Sequence, residues 1–296
     1  MKFMTRRFRL TDIVYIIMMI VPIFLGIALK VLTAPPSEGI SISGARIYFT
    51  VPMPVQNLLI TESQVNSAIV MVVLFFLCLY LTHGISRGVW LKRHHFAEII
   101  VEMCTSLVRN NMGEYFKGFG PFIASILALS ALSSLITLFG LFPPTSDINI
   151  IAGWAIVVFV LITYYKMKCG PLEYAKSFAS PPLMAPLNII GEIATPISMA
   201  FRHYGNVLSG SVISVLVAAG LQGLSGVVFG ALPGFLGEFP FLQVGLPAIL
   251  SIYFDIFSGC LQAFIFAMLT MLYIAGGFPL ELYEERKKKK AQKCKN

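Results

Sequence analysis

Hydrophobic positions along this chain gather into six long runs separated by short polar or basic breaks, a pattern that predicts helices. The first four runs cover about Ile13 to Leu29, Val65 to Leu81, Phe122 to Phe142 and Ile148 to Tyr165. Each approaches the ~20 apolar residues that carry an α-helix across the hydrocarbon layer. Two further runs, about Pro186 to Leu221 and Leu242 to Phe278, are longer, so each has to tilt, kink or lie partly across the membrane. Residues 89–117 differ: Lys92, Arg93, Glu98, Glu102, Arg109, Glu114 and Lys117 interleave with Phe96, Ile99, Ile100, Met103 and Leu107. That is the pattern of an interfacial helix with one apolar face. Residues 33–63 read as a polar connection with prolines, in which Ala45 to Leu59 packs against the membrane surface. The predicted class is an all-α polytopic membrane protein of about six membrane helices, including two long tilted C-terminal helices, plus an interfacial amphipathic helix.

This reading treats 1–296 as one integral membrane domain: an anchor helix (10–33), a second span with the interfacial helix (64–117), spans three and four (121–166), a tilted helix pair (183–280) and a basic tail (281–296). Ala34 is the one small-residue site suited to signal-peptide cleavage, but Pro35 and Pro36 follow it. The first run is therefore read as a retained anchor. The linker between the two long runs (GLQGLSGVVFGALPGFLGEFP) is rich in Gly and Pro and reads as a loop.

Composition agrees with this class. Hydrophobic residues make up 57% of the chain and charged residues 12%, about half the charge expected of a soluble domain. The net charge of +8 is distributed against a nucleic-acid partner, because basic residues flank the spans. Lys2, Arg6, Arg7 and Arg9 precede the first run, and Arg286 to Lys290 follow the last. With both termini inside the cell, all but three of the 22 Lys and Arg residues fall on the cytoplasmic side, the exceptions being Lys30, Arg46 and Arg202. The positive-inside rule selects that orientation in the cell membrane. The C-terminal KKKK run reads as a solvated tail near anionic lipid. The five cysteines lack metal spacing and read as small core residues.

Arg202 is the one Lys or Arg inside these apolar runs. No other Lys or Arg lies between Lys176 and Arg286, and an arginine near a bilayer centre costs from ~3 to over ~10 kcal/mol. At ~100° per residue, Asn188, Glu192, Thr195, Arg202, Asn206 and Ser209 share one face of the fifth run. Ser251, Asp255, Ser258 and Gln262 form a second stripe on the last run. Two facing polar stripes in hydrocarbon describe a path for water and ions. Interhelical glue is the plainer account of Thr195, Ser209, Ser251 and Ser258, and a static ion pair with Asp255 or Glu192 is the plainer account of Arg202.

The stretch SMAFRHYGNVLSG (Ser198 to Gly210) followed by CLQAFIFAMLTMLYI (Cys260 to Ile274) strongly resembles subunit a of F-type ATP synthases. PPTSDIN (Pro143 to Asn149), YKMKCGPLEYAKSF (Tyr165 to Phe178) and PLNIIGEIATP (Pro186 to Pro196) match in the family's order, over about residues 64–280. The resemblance implies a stator channel in which two long tilted helices cup a rotor ring. It implies the c-subunit ring, peripheral stalk subunit b and the whole synthase as partners, with membrane lipid and no nucleic acid. By position, Arg202 matches the family's essential arginine, facing the rotor carboxylates. Asn206 and Gln262 match half-channel residues, and Asp255 falls where members often carry Glu or His. Nine residues after Arg202 many members carry Glu or His, whereas this chain has Ser211. The family also often has a channel lysine, absent here between Lys176 and Arg286.

The ion-translocation candidates are thus Arg202, Asn206, Asp255 and Gln262, with Asn188, Glu192, Thr195, Ser209, Ser211, Ser251 and Ser258 as half-channel lining. No cofactor is implied; the translocated ion is H⁺ or Na⁺. The chain has no P-loop, so ATP chemistry belongs elsewhere and no catalytic site is expected here. A proton-coupled secondary transporter, with Arg202 binding an anionic substrate and Asp255 coupling to protons, is the alternative. Such transporters usually carry internal repeats, and neither stripe has a second copy. His94, His95 and Glu98 have part of a helical metal spacing without a third ligand. His203 lies ~100° from Arg202 around the helix and is placed toward another helix.

Overall fold

The computed structural model describes residues 10–33, 44–54, 56–85, 92–171, 174, 185–229, 245–246, 249–250, 252–278, 280 and 283. The basic termini, Lys176, Ser251 and the linker beyond Phe229 lie outside them. Among the described residues six helices are long and apolar enough to cross a membrane.

Helix α1 (Leu10–Leu32) starts with Asp12 in its first turn and ends with Lys30 in its last, the charge order that suits a helix dipole. It runs antiparallel to α2 (Glu62–Thr82). Gln64 reaches back to the Thr61 backbone N–H at 3.4 Å, a capping box that fixes where α2 begins. Between them, the stretch placed against the membrane surface forms a hairpin instead of a helix. Strand β1 (Ile47–Val51) pairs antiparallel with β2 (Leu58–Thr61), Val51 opposite Leu58. Pro52 and Pro54 favour a turn here, and β-branched and aromatic residues suit the strands. Among the described residues this small sheet is the departure from an otherwise helical fold.

Helix α3 (Lys92–Met112) is the amphipathic segment. Of its expected apolar face, Leu107 packs against the core beside Val108 and Met112, whereas Phe96, Ile99, Ile100 and Met103 stay exposed. A 3₁₀ turn (Glu114–Phe119) leads into α4 (Gly120–Leu135), and a second 3₁₀ turn (Ile136–Phe139) ends it at Gly140, φ 73°. Helix α5 (Ile148–Cys169) is N-capped by Asp147, which accepts from the Asn149 backbone at 3.0 Å.

Helix α6 (Ala185–Phe229) has 45 residues and a length of ~68 Å at 1.5 Å per residue. It absorbs the first half of the linker read as a loop; Gly220, Gly223 and Gly226 are helical with open space around them. Glycine costs little helix where no water competes for the backbone, as in membrane spans. A π-helical turn (Ile252–Ser258) precedes α7 (Gly259–Gly276).

The main core joins α3, α4, α5, α6 and α7 through Val108, Ile123, Val158, Met199, Phe266 and Met271. A second cluster of Ile69, Val70, Ile136 and Leu141 ties α2 to the far end of α4. Helices α4 and α7 cross closely enough that a Cβ on Gly259 would stand 2.6 Å from Ser134 Cβ. Helix α6 joins this packing around Met199, Ala200 and His203, and most of its length lies outside it. Of its most apolar window only 6% is buried, against 39% for the last span.

Candidate functional site

Helices α6 and α7 run antiparallel, and three contacts fix their register. Gly210 faces Phe254, where a Cβ would stand 3.0 Å from the ring. One turn along, Asn206 Nδ2 donates to Ser258 Oγ at 2.9 Å, and Ser258 Oγ stands 3.1 Å from Asn206 Oδ1. Near the other end, Glu192 and Thr195 of α6 line one cleft with Tyr273, Gly276 and Gly277. This order puts Arg202 at about the level of Gln262, midway along the pair. Arg202 is exposed on the open side of α6, while Gln262 is 5% exposed inside the helix pair. No ion pair to Arg202 forms among the described residues. The static pairing with Asp255 or Glu192 does not form among the described residues, and Glu192 pairs with Lys166 instead.

Glu192 Oε1 accepts from Lys166 Nζ of α5 at 2.5 Å and from Tyr174 Oη at 3.2 Å. Burial, with the Glu192 carboxylate beside it, holds the Tyr174 phenol above its ordinary range. Lys166 and Glu192 border a cleft of about 170 Å³ lined also by Phe159, Ile162, Thr195 and Leu272. Glu192 lies ten residues from Arg202, ~15 Å along the helix. On the other side of Arg202, Asp255 is half-buried in the π-helical turn, beside Thr137. A π turn adds a residue to the helix and re-aims the side chains in it, which is why such turns recur at functional sites. Asp255 and the Asn206–Ser258 pair make a second polar group along the helix pair, so Arg202 stands between two.

The structure distributes the remaining candidates unevenly. Asn206 and Ser258 are bonded to each other and so join the helices. Thr195, Ser209 and Ser211 bond their own helix backbone, at Gly191, Asn206 and Leu208 respectively. Asn188, Ser209 and Ser211 are exposed, and Ser211 is displaced from α7 by its neighbour Gly210, which makes the contact. Ser251 lies outside the described residues. Among the described residues no group of three His, Cys, Asp or Glu could hold a metal; His94 bonds the His83 carbonyl at 3.0 Å and His95 pairs with Glu98. His203 does meet other helices: it is fully buried, 3.3 Å from Ser130 Oγ, with its ring edge-on to Trp154 and Phe266.

Two features escaped the stripe analysis. On α4 and its 3₁₀ extension, Ser130, Ser133, Ser134 and Thr137 follow the i, i+3, i+4, i+7 spacing of one helix face, and the three serines are buried. The spacing is legible in ALSALSSLIT, but small hydroxyl residues in an apolar run carry little hydropathy signal. The second is a staple at the end where α1 begins: Arg93 Nη1 donates to Asp12 Oδ1 at 2.6 Å and Nη2 to the His83 carbonyl at 2.9 Å. Its partners lie 81 and 10 residues away in sequence, too scattered for any motif.

The fold is that of a polytopic membrane protein with, among the described residues, six helices of spanning length, the longest of which carries an exposed arginine between two polar groups. Comparison with known proteins makes this specific. The family described as ATP synthase A chain matches residues 65–275, and the chain belongs to that family. It is 33% identical to ATP synthase subunit a 3 of Pelobacter propionicus over 188 residues, 62% of this chain and 72% of that protein. ATP synthase subunit a of Trichlorobacter lovleyi is 29% identical over 235 residues, covering 75% and 91%. ATP synthase subunit a 1 of Crocosphaera subtropica is 30% identical over 221 residues, covering 73% and 86%. The chain therefore has a membrane-sector role in an F-type ATP synthase complex.

Proposed function

We propose that this subunit supplies two ion half-channels and the stator charge that separates them, and so converts ion flow into rotation of a c-subunit ring. The observation that carries the reading is the placement of Arg202, exposed on the unpacked side of α6 between the Glu192 cleft and the polar group at Asp255. A rotor carboxylate desolvated in lipid stays neutral or ion-bound. Brought against a fixed guanidinium it ionises and releases its ion to one half-channel, then reloads from the other. Arginine suits this because guanidinium stays protonated where an ammonium can discharge. The same charge repels a cation crossing directly between the half-channels. Each elementary charge moved through the field delivers ~2.3 kcal/mol per 100 mV.

In this reading both termini face the cytoplasm of a cell-membrane protein, the Glu192 cleft opens inward and the Asp255 half-channel outward. The rotor ring lies along α6, and a peripheral stalk subunit b holds the chain against it. The coupling ion, H⁺ or Na⁺, follows from the rotor carboxylate site. In the assembled synthase in vesicles, Arg202→Ala is expected to abolish ion-driven ATP synthesis while the subunit remains in the complex, and Arg202→Lys to impair it severely. Retention of most synthesis by Arg202→Ala would overturn the stator-charge reading.

A further inference from the structure

His203 is fully buried one residue from Arg202, and the site as described gives it no work. Its Nε2 stands 3.3 Å from Ser130 Oγ, and its Nδ1 is buried with no partner. From Ser130 the α4 hydroxyl face continues through Ser133, whose Oγ is also buried without a partner, to Ser134 and Thr137. Thr137 lies beside Asp255; the Thr137 hydroxyl donates to the Ser134 carbonyl at 2.7 Å, and Ser134 Oγ donates to the Ser130 carbonyl at 3.3 Å. His203 and Asp255 thus sit at the two ends of one face of hydroxyls, seven residues or ~10 Å long. Buried polar atoms without protein partners mark places where a water completes the bonding, and here they occur at both Ser133 and His203.

Resting on the half-channel reading above, we propose that the Ser130–Thr137 face of α4 is a proton file from Asp255 to His203, and that His203 is a proton-carrying residue of the Asp255 half-channel. A proton arriving at Nε2 from the Ser130 side forms the imidazolium, which releases the proton on Nδ1 to a neighbouring water; exchange of tautomers restores the ring. Imidazole suits the step because its two nitrogens accept and donate on opposite edges. The groups facing the ring are Ser130 from α4, Trp154 from α5 and Phe266 from α7, none of them charged; Arg202 and Tyr204 flank it on α6. The aromatic walls hold the ring edge toward the file. An imidazole carries H⁺ and cannot relay Na⁺, so the file commits this half-channel to protons.

The test uses the whole reconstituted synthase, with passive proton conduction measured from pH 5.5 to 8.5. His203→Gln keeps a hydrogen-bonding group but cannot carry a proton. It is expected to slow conduction by roughly a hundredfold, the low end of a positioned acid–base group's contribution, and to flatten its pH profile. Added imidazole should restore part of the conduction in His203→Ala, which a packing role would not allow. Native rate and pH profile in His203→Gln would overturn the proposal, as would native conduction in His203→Phe. If His203→Gln fails to assemble, Ser130→Ala takes its place: an assembled Ser130→Ala complex with native rate and pH profile also overturns it. Arg202→Ala, measured alongside, separates the two levels. Synthesis retained there defeats the half-channel reading itself, whereas native conduction in His203→Gln beside an inactive Arg202→Ala removes the file alone.

Discussion

Glu192→Gln with Lys166→Met provides a direct energetic test of the cleft between α5 and α6. Lys166 Nζ and Glu192 Oε1 are 2.5 Å apart, and the two side chains are 23% and 20% exposed. At that separation the Coulomb attraction is about 1.7 kcal/mol if the surroundings behave as water and about 6.6 kcal/mol at an effective dielectric of 20. Removing both groups from water offsets much of the larger figure. The partial exposure keeps the pair from the fully buried case but well above a surface pair, which contributes ~0–1 kcal/mol. A coupling energy of about 2 kcal/mol is therefore expected. Each single variant should cost more than its share of the pair, because Lys166 or Glu192 is left half-buried without its counter-charge. The double variant should recover part of the loss. The measurement is a double-mutant cycle on the purified subunit in mild detergent, unfolded by SDS titration. Trp154, one of two tryptophans in the chain, stands in the core near Phe266 and serves as the fluorescent probe. A coupling below about 0.5 kcal/mol would show that water screens the pair and that the cleft is wider in solution than its 170 Å³ suggests.

Asp255→Asn should slow ion entry strongly at neutral pH and Asp255→Glu should keep much of it, whereas Ser211→Ala, already bonded to its own helix, should be mild; equal ion flux in Asp255→Asn and Ser211→Ala reconstituted complexes would show the entry group is assigned wrongly. Gly259→Val should lower the unfolding free energy by ~1–3 kcal/mol because its Cβ would overlap Ser134; unchanged SDS-unfolding of that variant would mean α4 and α7 separate freely. Cysteines introduced at Ser37 and Lys293 should label from outside intact cells at position 37 alone, and labelling at 293 alone would reverse the orientation and the order of the half-channels.

Much of this protein was legible in one dimension. Six apolar runs, their lengths and the charge that breaks the fifth gave the all-α membrane class, because in hydrocarbon every backbone group must be satisfied within the segment and helices are the local way to do it. The family motifs around Arg202 and Gln262 were readable for the same reason: they are contiguous strings on single helices. Less legible was the hairpin at 47–61, where a short apolar stretch with prolines does not distinguish strands from a surface-lying helix. The extension of α6 to Phe229 was also misread, since glycine signals a loop in water more reliably than in lipid.

What tertiary structure alone decided was which polar residue meets which. Periodicity put Asn206 and Ser258 on stripes but could not tell a channel wall from a clamp; their mutual hydrogen bonds came from the register that Gly210 and Phe254 set between α6 and α7. Glu192 took Lys166 as its partner from 26 residues away, leaving Arg202 without a carboxylate among the described residues. The α4 serines and His203 acquired their relation only when three helices converged. A helix period is a local property that neighbouring residues impose on one another, so sequence determines it; the choice among partners depends on interhelical distances of a few ångströms, which close-packing of the whole bundle sets.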